Sequence, residues 1–366
     1  MRKRATDSIP ALRRIFFVVP YPLGVAPSQR FRFEQYFKYL KSRDIRYEVA
    51  SFWSERAWET LYRNGYFLVK FKGFFAGFLR RIILLLRIRK YDIIFLHREC
   101  MPAGPPIFEY VIAKLLRRKI IYDFDDAIWL PNTSKQNNFA SRFKFHQKVG
   151  SICKWSWKIS CGNDFLAEFA KKYNNNTTII PTTIDASYHK SERKERKDEP
   201  VVIGWTGTHS TLRYLDPIIP LLKELKDSYP VDILIISNQK PNWMFKDYEF
   251  LQWDKQEEIR QLDRIDIGIM PLSDSIWEKG KCGFKALQYM SLGKPAVVSD
   301  VGINHQIIDH GMDGFLCKSN DDFKKYLTLL VEDKRTYNAI SANSRKKVLE
   351  NYSVGSNSDL FLSLFL

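Results

Sequence analysis

The sequence predicts an α/β protein with two doubly wound, parallel-sheet domains that face each other across a cleft. Three observations lead to this prediction. Short apolar segments, which are typical of buried parallel strands, alternate with amphipathic helical segments along the chain. The length of 366 residues gives room for about two domains, each with its own core. A charged segment, KSERKERKDEP, interrupts the alternation at residues 190–200.

The charged segment sets the expected domain boundaries. We expect a Rossmann-like domain over residues 1–190, a linker over 191–200 and a second Rossmann-like domain over 201–350. Linkers of this composition are solvated and flexible. Residues 351–366 are predicted to form a C-terminal helix, for which packing back against the first domain is one option.

The composition indicates a globular protein with an anionic partner. The net charge of +17 favours nucleic acid, an anionic membrane surface or phosphorylated substrates, without choosing among them. The five cysteines include no C-x-x-C pair, which argues against a structural zinc site and a disulfide framework. Together with the lack of a signal-peptide pattern, this cysteine usage predicts a cytoplasmic protein.

Two positions in the first domain are candidates for ligand contacts. A strand over residues 15–19, a Pro/Gly loop and a helix starting near Ser28 form the local geometry of an α/β ligand site. Arg30 lies in the first turn of that helix, where the helix dipole disfavours a cation, so it is either a ligand contact or a surface arginine. His97 ends a strand over residues 92–96 and points to the ligand crevice, although a lone histidine is usually structural.

Three carboxylates, Asp123, Asp125 and Asp126, follow the next strand at residues 119–122. They could bind Mg²⁺ or Ca²⁺, contact a sugar, or pair with nearby arginines. Metal binding is the weakest of these alternatives, because no calcium-loop pattern follows. We therefore expect no metal site.

The segment over residues 65–90 is both apolar and basic. It carries too many charges to cross a bilayer. As a helix, it could place aromatic side chains in a membrane interface while its lysines and arginines meet anionic headgroups. The alternative is a core helix of the first domain whose long basic side chains reach out to solvent.

The second domain opens with a strand over residues 201–205 and a loop of small residues. Gly207 allows close backbone approach, and Thr208, His209 and the following helix offer donors for an oxyanion. Arg213 lies in that helix. The loop carries neither a Walker A sequence nor a GxGxxG fingerprint.

The most informative stretch runs over residues 278–316 and reads as loop, helix, buried strand, loop, short helix and strand. Lys281 and Lys285 lie four residues apart on one face at the start of the helix. Because a helix N-terminus is already positive, two lysines there are explained by a bound phosphate or pyrophosphate. The alternative is a pair of solvated lysines.

This stretch resembles the carboxyl-terminal domain of family 4 glycosyltransferases, which are retaining enzymes of the GT-B fold. The resemblance is carried by IDIGIMPL and by GFKALQYMSLGKPAVVSDVGINHQIIDHGMDGFL. PYPLGVAPSQRFRFEQY, LHRE, YDFDDAIW and PTTID resemble the first half of the family more loosely. The chain is similar to a subgroup that has GKCxFKxxQYM and GWTGT motifs. Where the family carries two glutamates eight positions apart, this chain has Gly280 and Gln288; Glu278, Lys281 or Lys285 is then expected to take the sugar-facing role.

The resemblance implies transfer of a sugar from a nucleotide-sugar donor, UDP-linked among the options, to a glycan or lipid-linked acceptor. Retention of configuration and polysaccharide or glycan biosynthesis are implied with it. No cofactor is expected, because the nucleotide sugar is a substrate. The implied catalytic residues are His97, Lys281 and Lys285; the donor-binding residues are Gly207, Thr208, His209, Arg213, Gly283, Phe284 and Gln288; the acceptor-side residues are Arg30, Asp123 and Asp125.

Two other classes of function remain open from the sequence. A non-catalytic GT-B partner subunit would explain the missing glutamates. A polyanion-binding protein would explain the charge, although we expect no nucleic-acid partner because no recognisable binding motif is present. The segment over 65–90 predicts a peripheral protein on the inner face of the cell membrane.

Overall fold

The computed structural model describes residues 13–61, 65–131, 145–192 and 199–366. Within those ranges the chain forms two six-stranded, all-parallel sheets with helices on their faces. The predicted fold class is therefore confirmed. Most of the linker and the basic N-terminal segment lie outside the described residues.

The first sheet belongs to the N-terminal domain and has the order β2-β1-β3-β4-β5-β6. Its strands are β1 (Arg14–Val19), β2 (Arg46–Ser51), β3 (Ile93–His97), β4 (Lys119–Phe124), β5 (Lys158–Cys161) and β6 (Thr177–Ile179). Its helices are α1 (Pro27–Arg30), α2 (Phe37–Ser42), α3 (Glu55–Leu61), α4 (Phe67–Arg87), α5 (Ile107–Tyr110), α6 (Lys148–Trp155) and α7 (Asp164–Lys171). Short 3-10 or π-helical turns cover Glu34–Tyr36, Ile88–Lys90 and Val111–Leu115.

The second sheet belongs to the C-terminal domain and has the order β12-β11-β10-β7-β8-β9. Its strands are β7 (Val201–Gly207), β8 (Val231–Ser237), β9 (Glu249–Gln252), β10 (Ile267–Met270), β11 (Ala296–Ser299) and β12 (Phe315–Cys317). Its helices are α8 (Ile219–Ser228), α9 (Glu258–Asp263), α10 (Ile276–Lys279), α11 (Phe284–Ser291), α12 (Asn304–Ile307), α13 (Asn320–Glu332) and α14 (Lys334–Lys347). Further 3-10 or π-helical turns cover His209–Tyr214, Asp216–Ile218 and Val348–Tyr352.

Each sheet changes winding direction once, and this change creates a crevice. In the first sheet the chain reverses between β1 and β3, and in the second between β7 and β10. Ligands of open parallel sheets bind outside the carboxyl ends of the strands at such a point. The two reversal points therefore predict where a substrate would lie in each domain.

The C-terminus contributes to the core of the first domain. Helix α15 (Ser358–Ser363) is shorter than the predicted terminal helix and is preceded by a turn. Phe361 and Phe365 are buried against Phe17 and Phe95 of the first sheet. The Phe365 ring centroid lies 6.4 Å from that of Phe17 and 6.1 Å from that of Phe95, and the Phe361 centroid lies 6.2 Å from that of Phe95. The last residues of the chain thus return to the first domain and pack in its core.

Helix α4 is the 21-residue helix formed by the apolar and basic segment. Its inner stripe, Gly77, Arg81 and Leu84, is buried against the first domain. The opposite stripe is exposed although it is apolar, and consists of Phe67, Leu68, Phe71, Phe75, Leu79, Ile82, Ile83 and Leu86. Among the described helices, none combines the length and the hydropathy that crossing a membrane requires.

Candidate active site

The candidate active site lies where the carboxyl ends of both sheets meet across the cleft. The loop that precedes α11 extends from the second domain and contacts the ends of β4 and β5. Cys282 donates a hydrogen bond to the Asp125 carbonyl oxygen at 3.2 Å, and the Asn163 amide reaches the Lys281 carbonyl oxygen at 2.9 Å. The loop of Lys281 and Cys282 therefore lies against the first-domain residues that follow β4 and β5.

Lys281 and Lys285 converge on the loop that follows β7. The Lys281 ammonium lies 5.8 Å from the centre of the Tyr214 ring, and the Lys285 ammonium lies 5.6 Å from the Trp205 ring. The Lys285 side chain runs beneath Gly207, where an added Cβ would be 2.9 Å from Lys285 Cε. The two lysines and the loop at Gly207 are thus adjacent in the second domain.

Burial lowers the pKa of Lys285 to about 7, and repulsion from Lys281 acts in the same direction. The carboxylate of Asp126, from the first domain, opposes this shift. Two neighbouring cations in a partly buried position repel one another, and a bound anion compensates this repulsion. The electrostatics of the pair therefore favour binding of a phosphate or diphosphate.

Glu278 is the carboxylate closest in sequence to these lysines, and it is buried. It accepts short hydrogen bonds from the hydroxyls of Tyr214 and Ser275. The Arg213 guanidinium lies 4.0 Å from Glu278 Oε1 and donates to the Tyr214 hydroxyl at 3.3 Å. Glu278 thus orients Arg213 and the aromatic ring beneath Lys281.

Gly280 occupies the position of the first family glutamate, and the structure gives a steric reason for its lack of a side chain. A Cβ at Gly280 would lie 2.7 Å from Ala127 Cβ and 2.9 Å from the Ala127 nitrogen. A glutamate would clash with the first domain unless the cleft widened. Gln288, at the position of the second glutamate, is buried on α11.

Asp125 and Asp126 bind one arginine of the first domain. Arg98 Nη2 lies 2.9 Å from Asp125 Oδ1 and 2.5 Å from Asp126 Oδ2. Burial raises the pKa of Asp126, and repulsion from Asp125 adds to the effect while Arg98 opposes it. Of the three alternatives for these carboxylates, pairing with arginine is the one that the structure shows.

Asp123 is buried behind this pair and does not open onto the cleft. It accepts a hydrogen bond from Arg32 Nη2 at 2.5 Å and lies 2.7 Å from His97 Nδ1. Burial opposes ionisation of Asp123, but Arg32 and His97 outweigh it and hold the pKa of its carboxyl below the usual range. His97 Nε2 is buried and has no hydrogen-bond partner among the described residues. Asp123 therefore orients the ring so that Nε2 remains free.

The remaining predicted residues fall into two groups. Gly283 is the N-cap of α11, Thr208 is exposed beside Ser210, and the His209 amide donates to Asn238 Oδ1 at 2.8 Å, all on the second-domain side of the cleft. Arg30 and Phe284 instead join the domains. Arg30 lies 2.5 Å from Glu258, and Phe284 packs on Phe31 with ring centroids 4.2 Å apart.

Comparison with known proteins gives the segment around α11 a family. Residues 246–347 match the model of the family described as Glycosyl transferases group 1. The chain is 27% identical over 107 residues to UDP-Gal:alpha-D-GlcNAc-diphosphoundecaprenol alpha-1,3-galactosyltransferase of Escherichia coli, covering 29% of this chain and 26% of that protein. It is 25% identical over 209 residues to the putative teichuronic acid biosynthesis glycosyltransferase TuaH of Bacillus subtilis, covering 49% of this chain and 50% of that protein. The matches thus span between a quarter and a half of these curated relatives.

The whole chain superimposes on a solved structure of Anabaena HepE, described as a complex with UDP and glucose. The TM-score is 0.63 at 13% sequence identity, and the match covers 97% of this chain and 99% of HepE. The chain has the GT-B fold. Hydrogen bonds from the loop before α11 cross the cleft to the first domain. The segment that matches the family model contains this loop.

Proposed function

We propose that the protein is a glycosyltransferase that moves a sugar from a nucleotide-sugar donor to a glycan or lipid-linked acceptor. The observation that carries the proposal is the pair formed by Lys281, in the loop before α11, and Lys285, in the first turn of that helix. They meet the Gly207 loop on one side and Asp126 of the other domain on the other. A diphosphate leaving group needs this kind of fixed positive charge.

The second domain offers matching contacts for the rest of the donor. The buried Gln288 would hold a ribose hydroxyl, and the loop of Thr208 and His209 would approach the phosphates opposite Lys281. UDP is the first nucleotide to test, because the Escherichia coli relative is named for UDP-Gal and the HepE structure holds UDP. The two lysines, the N–H groups of α11 and Arg213 together would balance the diphosphate charge.

The first domain supplies the groups that face the donor sugar and the acceptor. Because His97 is fully buried beside Asp123, we assign its free Nε2 to the backbone next to the donor sugar rather than to the sugar itself. Asp125 and Arg98 lie on the acceptor side, and Arg30 sets the cleft width through Glu258. The bond from the anomeric carbon to the diphosphate oxygen breaks while the acceptor oxygen bonds to the same face, and the proton of the acceptor hydroxyl passes to the departing diphosphate. The product would therefore retain the anomeric configuration, which NMR of the first-formed product would test.

A thermal-shift screen with UDP-, GDP- and dTDP-sugars tests the proposed function. We expect one nucleotide class to raise Tm and the corresponding nucleotide sugar to be consumed when acceptor is present. Donor binding without transfer to any acceptor would favour a non-catalytic partner subunit. Salt-sensitive binding of nucleic acid without nucleotide-sugar binding would favour a polyanion-binding protein.

The surface of helix α4 supports the proposal that the acceptor is carried on the cytoplasmic face of a membrane. Its exposed apolar stripe is about 31 Å long and is flanked by the exposed cations Lys72, Arg89 and Lys90. Residues 65–90 contain seven lysines and arginines and no acidic residue. A helix of this kind lies in the interface of an anionic bilayer. We therefore propose peripheral attachment through α4, which would bring the cleft to a lipid-linked acceptor.

Co-sedimentation with vesicles tests this attachment. We expect binding to vesicles with anionic lipid and weak binding to neutral ones. The double variant Leu68→Ser, Phe71→Ser removes two exposed side chains and should weaken binding about 10- to 100-fold at unchanged Tm. Equal binding of the variant and the original protein, or indifference to lipid charge, would contradict the proposal.

The lowered pKa of Lys285 predicts proton uptake when the donor binds. With a pKa of about 7, Lys285 is mostly neutral at pH 8 in the free protein, and a bound diphosphate would restore its charge. Binding of a UDP-sugar at pH 8 should therefore take up about one proton and be about tenfold weaker than at pH 6. Calorimetry in buffers of different ionisation enthalpy measures the uptake. In Lys285→Arg, which stays charged, the uptake should disappear.

A further inference from the structure

The side chain of Asn163 belongs to both domains at once. Its Oδ1 accepts a hydrogen bond from the Leu166 amide at 2.9 Å and so caps α7. Its Nδ2 crosses the cleft and donates to the carbonyl oxygens of Lys281 at 2.9 Å and Lys279 at 3.3 Å. Asn163 is only 1% exposed, so these hydrogen bonds are shielded from water. Both the oxygen and the nitrogen of the Asn163 side-chain amide therefore form hydrogen bonds.

The two carbonyls belong to the residues on either side of Gly280, and one of them is the carbonyl of Lys281 itself. Gly280 lacks a side chain that could anchor this loop by itself. Next to it, Cys282 lies against Gly162, where an added Cβ would be 2.2 Å from the Cys282 sulfur. The loop 279–283 therefore takes its shape from the first domain, through Asn163 and the space left by Gly162.

We propose that Asn163 is a positioning residue, which fixes the loop of Lys281 only while the two domains are together. This inference rests on the proposed function of Lys281 as a diphosphate ligand. Separation of the domains would break both hydrogen bonds from Nδ2 and free the peptide groups on each side of Gly280. The lysine would then reach its working position only when the acceptor-side domain has closed on the donor-side domain.

Asn163→Asp separates this role from the helix cap. The aspartate retains the acceptor for the Leu166 amide but loses the donor, and it turns a carboxylate oxygen towards two carbonyl oxygens. Since leaving-group charge grows in the transition state, kcat should fall about tenfold, while the donor Kd should change less than about threefold. Gln306→Ala is the matched control. It removes another hydrogen bond between the domains, from Gln306 to Asp164 at 2.7 Å, without touching the loop, and kcat should stay within about twofold.

Hydrogen–deuterium exchange gives a measurement that does not depend on activity. Amides of residues 279–285 should exchange faster in Asn163→Asp than in the original protein, while those of α7 should be unchanged. Unchanged exchange in the loop would overturn the positioning role, even if the protein proves to be a glycosyltransferase. Faster exchange in a protein that binds no nucleotide sugar would support the loop anchor and reject the proposed function. If Asn163→Asp does not fold, Asn163→Ser, whose hydroxyl can still cap α7, replaces it with the same expected exchange.

Discussion

Replacing Lys281 by Ala is expected to lower kcat/KM about 100- to 1,000-fold, with Tm unchanged. Among the described contacts of the Lys281 side chain is one with the face of the Tyr214 ring, which needs no hydrogen-bond partner in return. Truncation of the side chain is therefore not expected to destabilise the fold. The variant loses positive charge where the diphosphate would depart, and Lys285 is then the lysine left beside the Gly207 loop. Because its own pKa is lowered in part by Lys281, Lys285 should become easier to protonate, but this does not replace the lost charge.

Lys279→Ala is the control for this prediction. Lys279 lies two residues away in the same positively charged segment, and its side chain is 46% exposed and 3.5 Å from Asp274. Its loss should change kcat/KM by less than about threefold, because exposed pairs contribute little. A Lys281→Ala enzyme as active as Lys279→Ala would show that the lysine pair is only a solvated surface feature. Steady-state assays at a saturating acceptor concentration measure both variants.

The fold could be predicted because its signals are local. The apolar strands and the charged linker mark two domains by composition alone, and the stretch over 278–316 indicates the order of α11 and β11. The helix begins at Phe284, however, so Lys281 lies in the preceding loop and not at the start of the helix as predicted. Element boundaries were less accurate where capping decides them. The helix expected from Ser28 is a single turn that starts with Pro27, followed by a 3-10 turn at Glu34–Tyr36, because Ala26 provides no side-chain cap.

The contacts across the cleft could not be predicted, because they join residues that are more than 100 positions apart. Arg30 looked like a ligand contact, yet its partner is Glu258 in the other domain, 228 positions away. Asn163 gave only the signal of a helix cap, and nothing in its neighbourhood indicates that its amide also holds Lys281. Asp123 was expected to face the acceptor, but Arg32 and His97 hold it inside the domain.

Arg81→Met is expected to reduce the free energy of unfolding by about 3 kcal/mol. Arg81 is fully buried, and burial lowers its pKa to about 10. Its guanidinium donates to three carbonyl oxygens, those of Val19 and Cys100 at 2.7 Å and that of Ala50 at 3.1 Å. Methionine fills most of the volume but removes all three charged donors. The Val19 carbonyl oxygen keeps the Phe52 amide as a partner, whereas the carbonyl oxygens of Cys100 and Ala50 lose their hydrogen bonds to Arg81 in the interior. Removal of the buried charge offsets part of this cost. The expected loss in free energy of unfolding is therefore smaller than the summed contribution of three hydrogen bonds.

Arg87→Met provides the comparison on the same helix. Arg87 is exposed and pairs with Glu48 at 2.5 Å on the surface, so its replacement should cost less than about 1 kcal/mol. Urea unfolding measures both variants. Equal stability of the two would show that water or neighbouring donors satisfy the three carbonyls without Arg81.

The same three carbonyls connect α4 to the candidate active site. They lie at the end of β1, in β2 and just beyond β3, and the Cys100 carbonyl is two residues from Arg98, which holds Asp125 and Asp126. The proposed membrane attachment through the outer face of α4 would therefore act on a helix whose inner face is fixed two residues from Arg98. At temperatures where Arg81→Met remains folded, we therefore expect a lower kcat/KM together with unchanged binding to anionic vesicles, whereas Leu68→Ser, Phe71→Ser should show the reverse. If either variant lost both kcat/KM and vesicle binding, the two faces of α4 could not be assigned separate roles in membrane attachment and in support of the active site.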